Sequence, residues 1–171
     1  MKKNQIAIAF LVILLIIVGL SIFLISRNSQ DNSNSQAKQA QTKTEKKVFK
    51  AVVYKSPTCG CCKLYISYLK NQGFDIEVQE VNDNEMQAIK KKYQIAENKL
   101  SCHTTIVENY FFEGHIPVEA INKVLEEKLD TKGLALPGMP SGSPGMPGKK
   151  FGPFEIYQLS KDAKWSDYID I

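Results

Sequence analysis

Apolar residues run without a charge from Ile6 to Ile25, broken only by Gly19 and Ser21. At about 1.5 Å of rise per residue, a helix of that length crosses a hydrocarbon core of roughly 30 Å. Residues 1–27 are therefore expected to form a membrane anchor. Residues 28–46 are mostly Asn, Gln, Ser, Thr and Lys, with no large apolar side chain. They cannot bury enough surface to offset the entropy of ordering, so they read as a flexible linker.

The pattern changes at Val48. Val48-Phe49-Lys50-Ala51-Val52-Val53-Tyr54 is nearly continuous in apolar character, as a buried strand requires. Leu64, Tyr65, Tyr68 and Leu69 recur at helical spacing, and Asn71-Gln72-Gly73 stops that helix. Phe74, Ile76 and Val78 alternate as a second strand, and Met86, Ile89 and Tyr93 mark a second helix starting near Asp83. Thr104 to Val107 and Tyr110 to Phe112, separated by Glu108-Asn109, read as a hairpin. In a last helix Pro117 stands at the first turn, Val118, Ile121, Leu125 and Leu129 line one face, and Gly133 lies just past the end. Strand, helix, strand, helix, strand, strand, helix is the order of the thioredoxin or glutaredoxin fold. The expectation is an α/β, thioredoxin/glutaredoxin-like domain over residues 47–133, behind the N-terminal transmembrane helix. Residues 134–171 are expected to be a Pro/Gly/Met loop and a C-terminal extension of the same domain. Leu134 to Lys150 shows no period; Phe154, Ile156 and Leu159 suggest an extra edge strand; Trp165 to Ile171 has no assigned role.

Charge adds an orientation. Lys2 and Lys3 precede the apolar run and a nearly uncharged stretch follows Arg27, so a cytoplasmic N-terminus and an extracytoplasmic domain are expected from a single-pass protein of the cell membrane. The run is longer than the apolar region of a cleavable signal peptide. No cysteine precedes Cys59, so a lipid-modified cysteine cannot supply the attachment, and residues 6–25 must hold the membrane. The formal net charge of +4 does not point to nucleic acid as a partner, because Lys90, Lys91 and Lys92 sit among acidic and polar neighbours rather than in a basic stripe.

The chemistry is confined to the domain, since all four cysteines and both histidines lie between Cys59 and His115. Cys59-Gly60-Cys61-Cys62 falls between the first strand and the first helix, where free amides and the helix dipole favour thiolate. Cys59 and Cys62 have the C-x-x-C spacing of a redox dithiol, so a thiol-disulfide oxidoreductase is one reading. Cys61 would scramble a two-electron dithiol cycle but serves a metal site. Cys102 and His103 precede the third strand, at the turn that faces the C-x-x-C loop in such a fold and usually carries a cis-proline there; this chain has none at that place. His115 follows the hairpin. Met139 and Met146 occupy a repeated Pro-Gly-Met-Pro unit between Pro137 and Gly148, and thioether with thiolate selects Cu(I) over Zn or Mg.

Val53 to Cys62, Ser101-Cys102-His103-Thr104, Glu113-Gly114-His115-Ile116-Pro117 and the Pro137 to Met146 stretch together resemble the domain-of-unknown-function 411 family over roughly residues 50–154. The resemblance implies a thioredoxin-like, metal-binding protein of the kind often associated with bacterial copper resistance. It implies Cys59, Cys61, Cys62 and Cys102 as ligands, with His103, His115, Met139 and Met146 as supplementary candidates. The expected function is soft-metal, Cu(I), sequestration or handling outside the membrane, with copper donor or acceptor proteins as partners and Cu(I)/Cu(II) exchange as a further activity. The alternatives are the oxidoreductase and a structural zinc module, in which the methionine loop would have no role.

Overall fold

The computed structural model describes residues 47–171. The expected anchor at 6–25 and linker at 28–46 lie outside the described residues. No helix among the described residues is long and apolar enough to cross a membrane.

The apolar run opens the sheet as β1 (Lys50–Lys55). Helix α1 (Gly60–Asn71) follows the cysteine motif and leads to β2 (Asp75–Glu80). Helix α2 (Asp83–Lys92) starts at a capping box: Glu85 N–H donates to the Asn82 side chain, while the Glu85 carboxylate accepts from Asn82 N–H. The hairpin is β3 (His103–Val107) and β4 (Tyr110–Glu113). Helix α3 (Val118–Glu127) ends at Lys128, whose left-handed backbone (φ 50°) returns its N–H to the Val124 carbonyl.

Three more strands complete one seven-stranded sheet: β5 (Thr131–Ala135), β6 (Glu155–Ser160) and β7 (Trp165–Asp170), in the order β2-β1-β3-β4-β5-β6-β7. β1 pairs parallel to β2 and β4 parallel to β5; the other neighbours are antiparallel. A parallel pair needs a crossover, and α1 and α3 supply the two.

The C-terminal third differs from expectation in four ways. Leu134 and Ala135 do not begin a structureless segment; they end β5, which runs between β4 and β6. Gly133 is an interior strand residue and not a helix stop, because α3 already closes at Lys128. Leu129 lies beyond the helix, although it still packs on the core. Residues 155–160 form a strand, but an interior one; the edge is β7, made by the tail that had no assigned role.

Alternation puts a core on each face of the sheet. Phe112, Leu134 and Ile156 pack with Tyr65 and Leu69 of α1 and Ile121, Val124 and Leu125 of α3. Phe111 and Leu159 pack with Ile95, just after α2. Gly133 of β5 pairs with Phe111 of β4 at close range: a Cβ there would overlap the Phe111 carbonyl oxygen and ring. Overpacking at a site walled by backbone cannot be relieved by a rotamer change. Gly133→Ala is expected to destabilise the domain by about 2–3 kcal/mol, read as a lower midpoint in chemical denaturation; an unchanged midpoint would refute the close approach.

Candidate metal centre

The site forms where the start of α1 meets the turn entering β3. Cys59 is the N-cap of α1, and its Sγ accepts the Cys62 N–H at 3.3 Å. An N-cap position places sulfur at the positive end of the helix dipole, which favours its anionic form. The antiparallel pairing of β1 with β3 sets Lys55 opposite His103. That register brings Cys102 beneath the helix start. Cys102 Sγ lies 3.6 Å from Cys62 Sγ and 3.9 Å from Cys61 Sγ, and Cys61 Sγ lies 3.6 Å from Cys59 Sγ. All four sulfurs fall within 4.8 Å of one another.

In this state Cys59 and Cys62 are joined as a disulfide, while Cys61 and Cys102 are free thiols. A disulfide sulfur carries no thiolate charge. All four sulfurs could therefore serve as thiolate ligands only in the reduced protein, where Cys59 and Cys62 would also be a free C-x-x-C dithiol.

Cys102 belongs to a second group. His103 Nδ1 is 3.2 Å from its sulfur and His115 Nε2 is 3.1 Å away. His115 Nδ1 lies 2.6 Å from the Pro144 carbonyl oxygen. A carbonyl can only accept, so in the neutral ring Nδ1 carries the proton and the Nε2 lone pair faces Cys102. His103 is fully buried, and its Nε2 has no hydrogen-bond partner. Tyr65, also fully buried, packs tilted against His103 and edge-on against His115, at centroid distances of 4.6 and 5.3 Å, and donates its hydroxyl to the Ile116 carbonyl at 2.8 Å. The sequence showed Tyr65 only as a helical core position. Its place one turn after Cys61 and Cys62 was the signal that it also walls the site.

The electrostatics of the metal-free site favour neutral groups. Burial, reinforced by the neighbouring Cys61, pushes the Cys102 thiol up to about 12. A thiol so raised is not a nucleophile at neutral pH, whereas a bound cation inverts that balance and takes the proton's place. Burial likewise holds His103 well below, and His115 below, the usual imidazole value of 6.5. Four sulfurs and two neutral imidazoles, one with an orphaned nitrogen, are a donor set that fits a soft or borderline metal ion.

The Pro/Gly/Met loop reaches this place. Pro144 holds His115, and Gly145 (φ +80°) lies against the backbone of Leu64 and Tyr65, where a Cβ would come within 2.6 Å of the Tyr65 nitrogen. Met146 follows, half-buried, and its N–H donates to the Ser143 carbonyl. Met139 stands earlier in the loop and is 52% exposed. The structure thus gathers Cys59, Cys61, Cys62, Cys102, His103 and His115 directly, and carries the loop of the two methionines across α1.

The depressed imidazoles give a pH signature. Unfolded histidines take up protons below about 6.5, while the folded ones do so only at lower pH. The unfolded chain then binds more protons in that window, so this contribution to stability is complete above about 6.5 and is lost as pH falls. Glu113, raised by burial, acts in the opposite sense, so the direct measure is the imidazole itself. In the copper-free chain the C2 proton shifts of His103 and His115 should remain at neutral-ring values as pH drops through 6.5. A normal titration midpoint for either would refute its burial.

The family of proteins of unknown function DUF411 matches residues 100–146, the stretch from the Cys102 turn through both imidazoles to Met146. No curated protein sequence matches the chain. Among solved structures, one titled copper resistance protein copG, form 2, is 33% identical, with a TM-score of 0.66 over 73% of this chain and 99% of its own. The form 1 structure shares that identity and TM-score and is covered over 98% of its length. On a family match that spans the turn, the imidazoles and the loop, and on relatives 33% identical across nearly their whole length, this chain belongs to the DUF411 family.

Proposed function

We propose that this protein takes up copper as Cu(I) and holds it for sequestration or transfer outside the cell membrane. The observation that carries the reading is the gathering of four sulfurs within 4.8 Å around a Cys102 that two imidazole nitrogens also face. The copper resistance titles of the solved relatives support the choice of metal. Cu(I) is satisfied by two or three soft ligands, so four thiolates with two imidazoles beside Cys102 exceed the need of one ion and suit a small multinuclear cluster. The mixed sulfur and imidazole surroundings of Cys102 suit both Cu(I) and Cu(II), which supports electron exchange as a further activity. The half of the sheet ordered β2-β1-β3-β4 with its helices supports reading the core as thioredoxin-like, extended here by β5 to β7.

The Cys59–Cys62 disulfide favours a second reading, a thiol-disulfide oxidoreductase. Cys61 separates the two. If copper is the cargo, Cys61→Ser should weaken Cu(I) binding by at least about tenfold, ~1.4 kcal/mol, in competition against a Cu(I) chelator. In the same titration Met139→Leu with Met146→Leu, which conserves volume, should retain the core site but release copper faster. Efficient disulfide reduction that survives Cys61→Ser, in a chain without copper affinity, would establish the oxidoreductase instead.

The extracytoplasmic placement rests on the apolar run at 6–25 and the lysines before it. Protease added to intact cells stripped of any outer barrier should remove the cysteine domain; its full recovery from the cytosol would overturn the placement.

A further inference from the structure

Lys90 near the end of α2 and Glu113 at the end of β4 form an ion pair in which both side chains are buried, at 5% and 0% exposure. Taking both charges out of water is costly, and an apolar pair of similar volume would often be as stable or more so. The pair's contacts give it a purpose. Glu113 Oε1 accepts the Ser101 backbone N–H at 2.7 Å, and its Oε2 accepts the Thr104 hydroxyl at 2.6 Å. Lys90 Nζ donates to the Ser101 carbonyl at 3.1 Å, to Thr104 Oγ1 at 3.5 Å and to Glu113 itself. Among the described residues, the two charged groups bond, beyond each other, only to Ser101 and Thr104 on either side of Cys102 and His103.

We propose that Lys90 and Glu113 are positioning residues, which clamp the turn from both ends and so fix the Cys102 sulfur against Cys61 and Cys62. This rests on the copper reading above. A short turn entering a strand has few contacts of its own, and its ends set where its sulfur points. The clamp makes both backbone groups of Ser101 and the Thr104 hydroxyl part of one charged, hydrogen-bonded unit with little freedom to rotate. Such outer partners commonly contribute 10- to 100-fold to metal affinity by orienting ligands they do not themselves replace. The pair also explains why Ser101 and Thr104, small hydroxyl residues, bracket the motif: Ser101 Oγ donates in turn to the Gly138 carbonyl, tying the turn to the methionine loop.

The test is a double-mutant cycle on the full chain, with the Cu(I) dissociation constant read by chelator competition and the unfolding midpoint read in parallel. Glu113→Gln and Lys90→Met are each made with Cys102 present and with Cys102→Ser. If the clamp acts through Cys102, each change should weaken Cu(I) binding about 10- to 100-fold in the first background and by less than about twofold in the second, since coupled residues are not additive. X-ray absorption should show fewer sulfur neighbours per copper, as in Cys102→Ser alone. Lys90→Met supplies the second route should Glu113→Gln fail to fold. An equal loss in both backgrounds, or affinity unchanged while the midpoint falls, would overturn the inference and leave the pair as structural support. A wild-type chain that binds no Cu(I) would overturn the copper reading first, and this inference with it.

Discussion

Electron-rich groups do not gather without a framework to force them together. Four sulfurs and two imidazoles share a small, largely dehydrated volume at the start of α1, and nothing in their mutual interaction draws them there. The constraint that does so is the β1–β3 pairing. Antiparallel register sets Lys55 beside His103, so the loop that leaves β1 and the turn that enters β3 must meet at one end of the sheet. Both cysteine motifs sit in those two connections. The remaining strands, helices and loop follow from holding that junction closed: Tyr65 walls it, α3 packs beneath through Ile121 and Val124, and Pro144 with Gly145 crosses above.

The metal-free junction is held at a chemical disadvantage. A thiol raised to about 12 and imidazoles pressed below their usual value resist both ionisation and protonation, which leaves lone pairs available and charge absent. A cation entering such a site would meet a Cys62, a His103 and a His115 already withdrawn from water, with an unprotonated His115 nitrogen facing Cys102. The disulfide between Cys59 and Cys62 is the competing way to quiet two of the sulfurs, and it places metal loading and thiol oxidation in opposition at the same two atoms.

Much of this was legible in the chain. The strand and helix periods from Val48 to Leu125 were strong enough to give the element order, since each segment buries one face. The clustering of all cysteines and histidines between Cys59 and His115 pointed to the side chains that the fold brings together. What escaped was set by long-range contacts. β5 reads Thr-Lys-Gly-Leu-Ala, a poor strand by propensity, and exists because β4 and β6 both pair with it. The tail became β7 for the same reason. Lys90 stood in a run of three lysines among acidic and polar neighbours; only the folded chain shows it buried against Glu113. Neither residue type nor spacing distinguishes a buried ion pair from an exposed one.

The four sulfurs differ in how they can be approached. Cys62 is wholly buried, while Cys59, Cys61 and Cys102 are each partly open to solvent. On the copper reading proposed above, an ion would arrive by ligand exchange through the outer three, settle toward Cys62 last and leave by the same route in reverse. The innermost sulfur would then act as a ratchet stop that governs how long an ion stays, while the outer ones govern with whom it is exchanged.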